Sequence, residues 1–223
     1  GLDFDGTLAP IVDEPARATM RARTRTLLRR VCLLYPTVVI SGRARRDLLA
    51  RLDGVAVAAA IGGHGTESIR SPLRHSARVT RWRRQLESAF GEMPGVLVEV
   101  KAHSLAVHYR RCRTKKAARR EITRLASALD GVKIIEGKQV VDILPVDAPH
   151  KGLALERERE RARCDTAIYL GDDQTDEDVF ALSEPGRLLG IRVGRLATSL
   201  APYYLPSQID VDLLLETLAS IRK

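Results

Sequence analysis

Apolar positions along this chain follow two periods that take turns. Short apolar runs at residues 1–4, 37–40, 55–61, 167–170 and 188–193 end in small or acidic residues and predict buried strands. Segments 15–34, 44–52, 151–162, 176–182 and 209–221 return an apolar residue every three or four positions and predict helices. Strands alternating with helices over short connections predict an α/β fold on a doubly wound, mostly parallel sheet.

The middle third breaks that rhythm. Residues 77–90 read as a helix stopped by Gly91 and Pro94. Segments 96–101 and 105–110 alternate around Ala102-His103-Ser104, the pattern of a hairpin. A second helix is expected over 114–129, with Thr114 at its N-cap and Gly131 beyond its end. Segments 132–135 and 139–144 form another hairpin across Glu136-Gly137-Lys138. This αββαββ order predicts a small sheet with two helices on one side. Because α/β alternation resumes after Pro149, the small α+β region is an insertion. The expected domains are a discontinuous core, 1–73 with 146–223, and an inserted domain, 74–145.

Composition narrows the class. A chain of 223 residues holds one ordinary domain and a smaller one. No apolar run approaches the ~18 residues of a membrane span, so no membrane partner is expected. A buried strand usually has about five residues, and only two precede Asp3, so further residues are expected upstream. Cys32, Cys112 and Cys164 are odd in number and widely spaced, which favours a reducing cytoplasm over a disulfide framework or zinc site. Thirty Arg against seven Lys reads first as a compositional bias. The net charge of +9 nevertheless has a location: residues 74–145 carry all of it, and the remainder is neutral. Within that region, 110–120 holds seven basic residues in eleven. Alone, this suggests nucleic acid, but it lacks interleaved aromatics. A solvated cationic face is favoured, with attraction of an anionic substrate as a further reading.

The chemistry begins at Asp3 and Asp5. Residues two apart on a strand share a face, so the pair is expected side by side at the C-terminal edge of the first strand, where open α/β sheets bind ligands. The alternative is a surface turn with two solvated aspartates. Two carboxylates so close are kept ionised by a divalent cation. Ser41 follows the second strand, Lys151 opens a helix and Asp172-Asp173 ends a late strand, all at that same edge. Hydrolysis of a phosphate monoester needs a nucleophile, a proton donor, a cation and phosphate-holding donors. This set contains each of them. Ser41 can also cap the following helix, and a solvated Lys151 is the plain alternative.

These residues resemble the motifs of the haloacid dehalogenase superfamily of phosphatases. The matching segments are Asp3-Phe4-Asp5-Gly6-Thr7-Leu8, Ser41-Gly42-Arg43, Lys151-Gly152 and Gly171-Asp172-Asp173-Gln174-Thr175-Asp176-Glu177. The resemblance implies a Rossmann-like core with an inserted cap, and an aspartyl-phosphate formed on Asp3. Asp5 would then protonate the leaving oxygen and later deprotonate water. Mg²⁺ would be held by Asp3, the Asp5 carbonyl and Asp172. Gly6, Ser41, Gly42 and Lys151 would hold phosphate, and Asp173 and Asp176 would support the metal's surroundings. For Glu177 and Asp178 the favoured role is to complement a helix dipole.

Gly63-His64-Gly65-Thr66-Glu67, the run from Lys101 to Arg110 with Ser104, Ala106, His108 and Tyr109, and Glu136-Gly137-Lys138 with Asp142 look like the trehalose-6-phosphate phosphatase family. That resemblance implies sugar contacts from Glu136 and Lys138, with Arg43, His64, Lys101, His108 and Asp142 as further candidates. Asp142 stands where the family usually has Glu, so it is either structural or alters those contacts. His108 and Tyr109 alternate, so one of them faces the insert's own core. The expectation is a cytoplasmic, monomeric phosphatase acting on trehalose 6-phosphate, with no nucleic-acid partner. The alternatives are a phosphatase for sucrose phosphate or glycosyl-3-phosphoglycerate, and a non-catalytic regulatory domain that binds a sugar phosphate.

Overall fold

Two units make up the chain, Gly1–Ile69 with Pro149–Lys223 and Arg70–Ala148. The computed structural model describes residues 1–68, 77–90, 93–101, 103–137 and 139–222.

In the first unit, β1 (Val38–Ile40) pairs in parallel with β2 (Ala59–Ile61). Residues 1–3 lie beside β1. Leu2 donates to Val38 and accepts from Ile40, both at 2.9 Å, and Asp3 donates to Leu170 at 2.8 Å. Leu170 belongs to β7 (Ala167–Gly171), which pairs in parallel with β8 (Leu188–Val193), and β8 with β9 (Tyr203–Leu205). The first residues are therefore the middle rung of one parallel sheet, in the order β2, β1, residues 1–3, β7, β8, β9. Alternation along the strands sends Val39 and Leu170 into one core with α1 (Ala22–Leu34), α2 (Arg45–Leu52) and α7 (Val211–Ile221). Val38, Ile40 and Tyr169 enter the other, with α5 (Lys151–Arg161) and α6 (Glu177–Phe180). Helices thus cover both faces, as a doubly wound sheet requires.

Three expectations change here. The helix expected over 15–34 is a single 3₁₀ turn, Pro15–Arg17, followed by extended chain and then α1. Arg51 reaches across and bonds the carbonyls of Ala16 and Ala18, so those acceptors serve a side chain instead of a helix. The strand expected over 55–61 keeps only its last three residues, because Val55 and Val57 bond back locally to Leu52 and Val55. The edge strand β9 was not expected at all. Among the described residues, no helix is long and apolar enough to cross a membrane.

The second unit holds an antiparallel sheet in the order β3 (Leu97–Val100), β4 (Leu105–His108), β6 (Val140–Pro145), β5 (Val132–Gly137). The amphipathic helix α3 (Ala77–Phe90) buries Val79, Trp82, Leu86 and Phe90, spaced three or four apart. Helix α4 (Lys115–Ser127) buries Ala118, Ile122 and Ala126. Both helices pack on Leu105, Val107, Val141 and Ile143 of the sheet. Thr114 does sit at the N-cap of α4, but its side chain makes no capping bond.

Candidate active site

The parallel strands of the first unit all end at one edge, and their last residues carry the site. Asp3 follows Leu2, Ser41 follows β1, and Asp172 follows β7, while Lys151 is the first residue of α5. Lys151 is 2 % exposed and donates to Asp3 Oδ1 at 2.9 Å and to Asp176 Oδ1 at 2.8 Å. The Tyr169 hydroxyl donates to the same Asp176 oxygen at 2.6 Å, and the Asp173 N–H to Asp176 Oδ2 at 2.8 Å. Asp176, expected only in a supporting position, is thus fully buried at the centre of the cluster. Asp173 caps the 3₁₀ turn Gln174–Asp176 with its own side chain.

Burial and mutual repulsion govern the charges. Desolvation pushes the Asp3 carboxyl well above its ordinary range; Lys151 opposes this, while Asp176 and Asp172 add to it. Asp172 is pushed up to about 7 by burial first, then by Asp176 and Asp173. Burial acts against the Lys151 ammonium too, but Asp176 and Asp3 outweigh it and hold the group charged, above its usual pKa. Two buried carboxylates, Asp3 and Asp176, and the half-buried Asp172 therefore share one buried ammonium. One oxygen from each of Asp3, Asp172 and Asp176 lies within 4.8 Å of the others. A hard divalent cation with oxygen ligands fits that donor set and supplies the missing positive charge. Asp176 already accepts three hydrogen bonds, which leaves Asp3 and Asp172 as the better side-chain ligands.

Gly6 makes the arrangement possible. At φ +81° its backbone is left-handed, and a Cβ there would lie 2.0 Å from Asp172 Oδ2. Thr7 adds a hydroxyl to Asp172 Oδ1 at 3.3 Å. Gly42 has a similar duty, since a Cβ on it would meet His64 Cε1 at 2.5 Å. His64 lies in a left-handed turn between Gly63 and Gly65, at φ 56°. Its N–H donates to the Ser41 carbonyl at 2.9 Å, which brings His64 to the site's edge. Ser41 is 1 % exposed, and its Oγ accepts from the Arg43 N–H at 3.2 Å. It does not cap α2, whose N-cap position is Ala44. Instead Glu67 accepts from the Arg45 N–H at 2.8 Å, a contact no sequence pattern pointed to.

Asp5 departs from expectation. The chain turns after Asp3, with Gly6 N–H on the Ala9 carbonyl at 2.7 Å, and the Asp5 carboxyl is not among the acids that cluster with Asp3. The Asp5 carboxylate is gripped by Arg43, with both bonds at 2.6 Å. Arg43 also bonds Asp47, and its side chain is 10 % exposed. It was expected to hold sugar, but its guanidinium is spent on these carboxylates. Glu177, expected to serve a helix dipole, instead pairs with Arg192 at 2.8 Å and accepts from the Leu200 N–H at 2.8 Å. Helix α6 is only four residues long and has little dipole to complement.

In the second unit, the strand register sorts the remaining candidates. Glu99, Ala106 and Asp142 lie in one row across β3, β4 and β6, on the face away from the helices. Lys101 joins Asp142 on this face at 2.9 Å, and His108 Nε2 lies 2.8 Å from Glu99. The His108 bond holds the Glu99 carboxyl below its usual range, against partial burial and with help from Lys101. Tyr109, not His108, enters the hydrophobic core. Glu136 falls on the other face. It pairs with Val141, and its carboxylate accepts from Thr123 of α4 at 3.1 Å. Residues opposed in an antiparallel pair share a face, so Glu136 cannot join Asp142. Lys138 lies outside the described residues.

A parallel α/β sheet with buried acids and one lysine at its C-terminal edge, interrupted by an α+β insert, defines a haloacid-dehalogenase-type core. A phosphatase of that superfamily from Bacteroides thetaiotaomicron has this fold, with a TM-score of 0.70 over 98 % of this chain and 92 % of its own, at 16 % identity. The trehalose-phosphatase family model matches residues 1–206, and the chain belongs to that family. It is 33 % identical over 195 residues to a trehalose-phosphate phosphatase of Mycobacterium ulcerans, covering 80 % of this chain and 49 % of the relative. The chain thus spans about half the length of that relative. The C-terminal domain of a C. albicans trehalose-6-phosphate phosphatase shares the fold at TM-score 0.76 and 22 % identity, over 100 % of this chain and 92 % of that one. The family implies a divalent metal, and the acidic cluster suits one.

Proposed function

We propose that this chain hydrolyses trehalose 6-phosphate to trehalose and phosphate, with Mg²⁺ as its metal and an aspartyl-phosphate on Asp3. The observation that carries the reading is the buried Asp3–Lys151–Asp176 array beside Asp172, in a chain of the trehalose-phosphatase family. Mg²⁺ held by Asp3, Asp172 and the Asp5 carbonyl would neutralise the carboxylates, so that an anionic nucleophile can meet a phosphate dianion.

The residues divide the work. Lys151 fixes one Asp3 oxygen and leaves the other to attack phosphorus. As the Asp3–phosphorus bond forms, the bond from phosphorus to the sugar oxygen breaks, and the Asp5 carboxyl gives that oxygen its proton. Water then attacks the aspartyl-phosphate, its proton passes to Asp5, and phosphate leaves with Asp3 restored. Ser41 and the neighbouring backbone would hold phosphoryl oxygens. The insert, expected over 74–145, would select the sugar through Lys101, His108 and Asp142, which share one polar sheet face. A cytoplasmic setting accords with the three free cysteines.

Phosphate release from a panel of sugar phosphates, with and without Mg²⁺, tests the reading. Trehalose 6-phosphate should be the preferred substrate, EDTA should abolish turnover, and Asp3→Asn should be inactive but folded. Preference for another sugar phosphate, or turnover by Asp3→Asn, would refute it.

A further inference from the structure

Asp172 follows β7, and the peptide that joins it to Asp173 is held at both ends. Its N–H, that of Asp173, donates to Asp176 Oδ2 at 2.8 Å. Its carbonyl, that of Asp172, accepts from Arg192 Nη2. Strand register brings the arginine there, since Arg192 of β8 lies opposite Gly171, the residue before Asp172. Arg192 Nη1 also reaches the Asp173 carbonyl at 3.4 Å, and donates to Glu177 Oε1 at 2.8 Å. The other Glu177 oxygen accepts from the Leu200 N–H at 2.8 Å. Arg192 is thus anchored in turn, with its side chain 12 % exposed.

This clamp has a geometric consequence. A peptide unit is planar, so fixing its N–H and its carbonyl fixes the plane. On the other side of Asp172, Gly171 is held in the pairing of β7 with β8. With the backbone fixed on both sides, the Asp172 Cα–Cβ bond has one direction. It delivers the carboxylate to the Thr7 hydroxyl at 3.3 Å and to the cluster with Asp3 and Asp176. Mutual repulsion of the three acids works against that placement. Among the described residues, Thr7 is the one hydrogen-bond donor to the Asp172 carboxylate, so the backbone does most of the holding.

We propose that Arg192 is a positioning residue for the divalent cation site. By gripping the Asp172 carbonyl, opposite the Asp176 carboxylate on the same peptide, it keeps the Asp172 side chain where it can ligate. The inference rests on the reading above, in which Asp172 is a ligand of Mg²⁺. Arg192 offers no ligand atom and touches no reacting atom. Its guanidinium meets backbone oxygens, and Glu177 keeps it there.

Mg²⁺ binding to the metal-free protein, followed by isothermal titration calorimetry, reads this role without any turnover. Arg192→Met keeps the apolar stem and loses every donor. It should weaken Mg²⁺ binding by about 10- to 100-fold, the range for groups that orient a metal's ligands. Arg192→Lys can still hold one carbonyl and should lose less. Glu177→Gln weakens the arginine's anchor and should shift Mg²⁺ affinity in the same direction, which keeps the test open if the Arg192 variants fold poorly. Phosphate release by each folded variant should recover at saturating Mg²⁺. Lower stability in urea with unchanged Mg²⁺ affinity would show a structural role and overturn the proposal. So would a loss of turnover that saturating Mg²⁺ does not restore. An unmodified protein whose Mg²⁺ affinity is indifferent to Asp172→Asn overturns the ligand assignment and the proposal with it. Variants that lose Mg²⁺ as expected, in a protein that releases no phosphate from trehalose 6-phosphate, uphold the clamp and overturn the substrate reading alone.

Discussion

Lys151 and Asp176 form a fully buried ion pair, Nζ to Oδ1 at 2.8 Å, that joins the first turn of α5 to the loop after β7. The same ammonium serves Asp3, so the group that steadies the candidate nucleophile is itself steadied by a second acid. Lys151→Ala would leave two carboxylates buried without a cation. Removing one partner of a buried pair costs about 3–5 kcal/mol, a large share of a domain's stability. Urea unfolding should show a loss of that order together with loss of phosphate release. A change under about 1 kcal/mol would mean that water reaches the pair.

Tyr169 is the hidden member of this network. Its hydroxyl donates to Asp176 at 2.6 Å and its ring is wholly buried, packed edge-on against Phe180 at 6.0 Å. Tyr169→Phe keeps the packing and removes one hydrogen bond to a charged group, a loss of about 1.5–3 kcal/mol. Combined with Asp176→Asn, the two losses should fall short of additive, because both act on one oxygen. Strict additivity in a double-mutant cycle would show that the tyrosine acts elsewhere.

Much of this architecture is legible in the chain because burial and pattern agree. Helix α3, described over Ala77–Phe90, buries Val79, Trp82, Leu86 and Phe90 at the helical spacing the sequence shows. Residues 1–3 can be read as a central strand because an apolar lead-in runs straight into Asp3. Other parts depend on tertiary contacts that spacing does not carry. Strand β9 is invisible because Tyr203 and Tyr204 are exposed on a sheet edge, between Pro202 and Pro206. The face taken by Glu136 depends on which residue of β6 it meets, and one step of register reverses it. Asp176 sits in a polar run of similar acids, and only the fold distinguishes it from Glu177 and Asp178. The grip of Arg43 on Asp5 spans 38 positions and has no local signature.

Gly6 should tolerate no side chain. Its φ of +81° is strained for any L-residue, by about 1–2 kcal/mol, and the added methyl would occupy the place of the Asp172 carboxylate. Gly6→Ala must therefore displace Asp172, a candidate metal ligand. We expect a drop in Mg²⁺ affinity larger than the drop in stability, read by titrating Mg²⁺ against phosphate release and by thermal unfolding. Stability lost with unchanged Mg²⁺ dependence would show that Asp172 does not bind the metal.

The pH dependence of cation binding follows from Asp172. Its carboxyl, ordinarily near 3.8, is pushed up to about 7 by burial and by Asp176 and Asp173. Between those values the folded, metal-free protein keeps a proton that the unfolded chain has released. The contribution of Asp172 to the stability of the metal-free protein therefore falls as pH rises through that window. Asp3 is shifted in the same direction and adds to the slope, while Lys151 stays charged throughout. A divalent cation takes only the ionised carboxylates, so its binding must expel these protons and tightens as pH rises. Saturating Mg²⁺ should raise Tm more at pH 8 than at pH 5.5, with net proton release measurable by calorimetry in buffers of different ionisation enthalpy. Asp172→Asn should flatten both effects. An Mg²⁺-induced shift in Tm that is equal at the two pH values would show that the acids are already ionised, and that the cluster is not held short of positive charge.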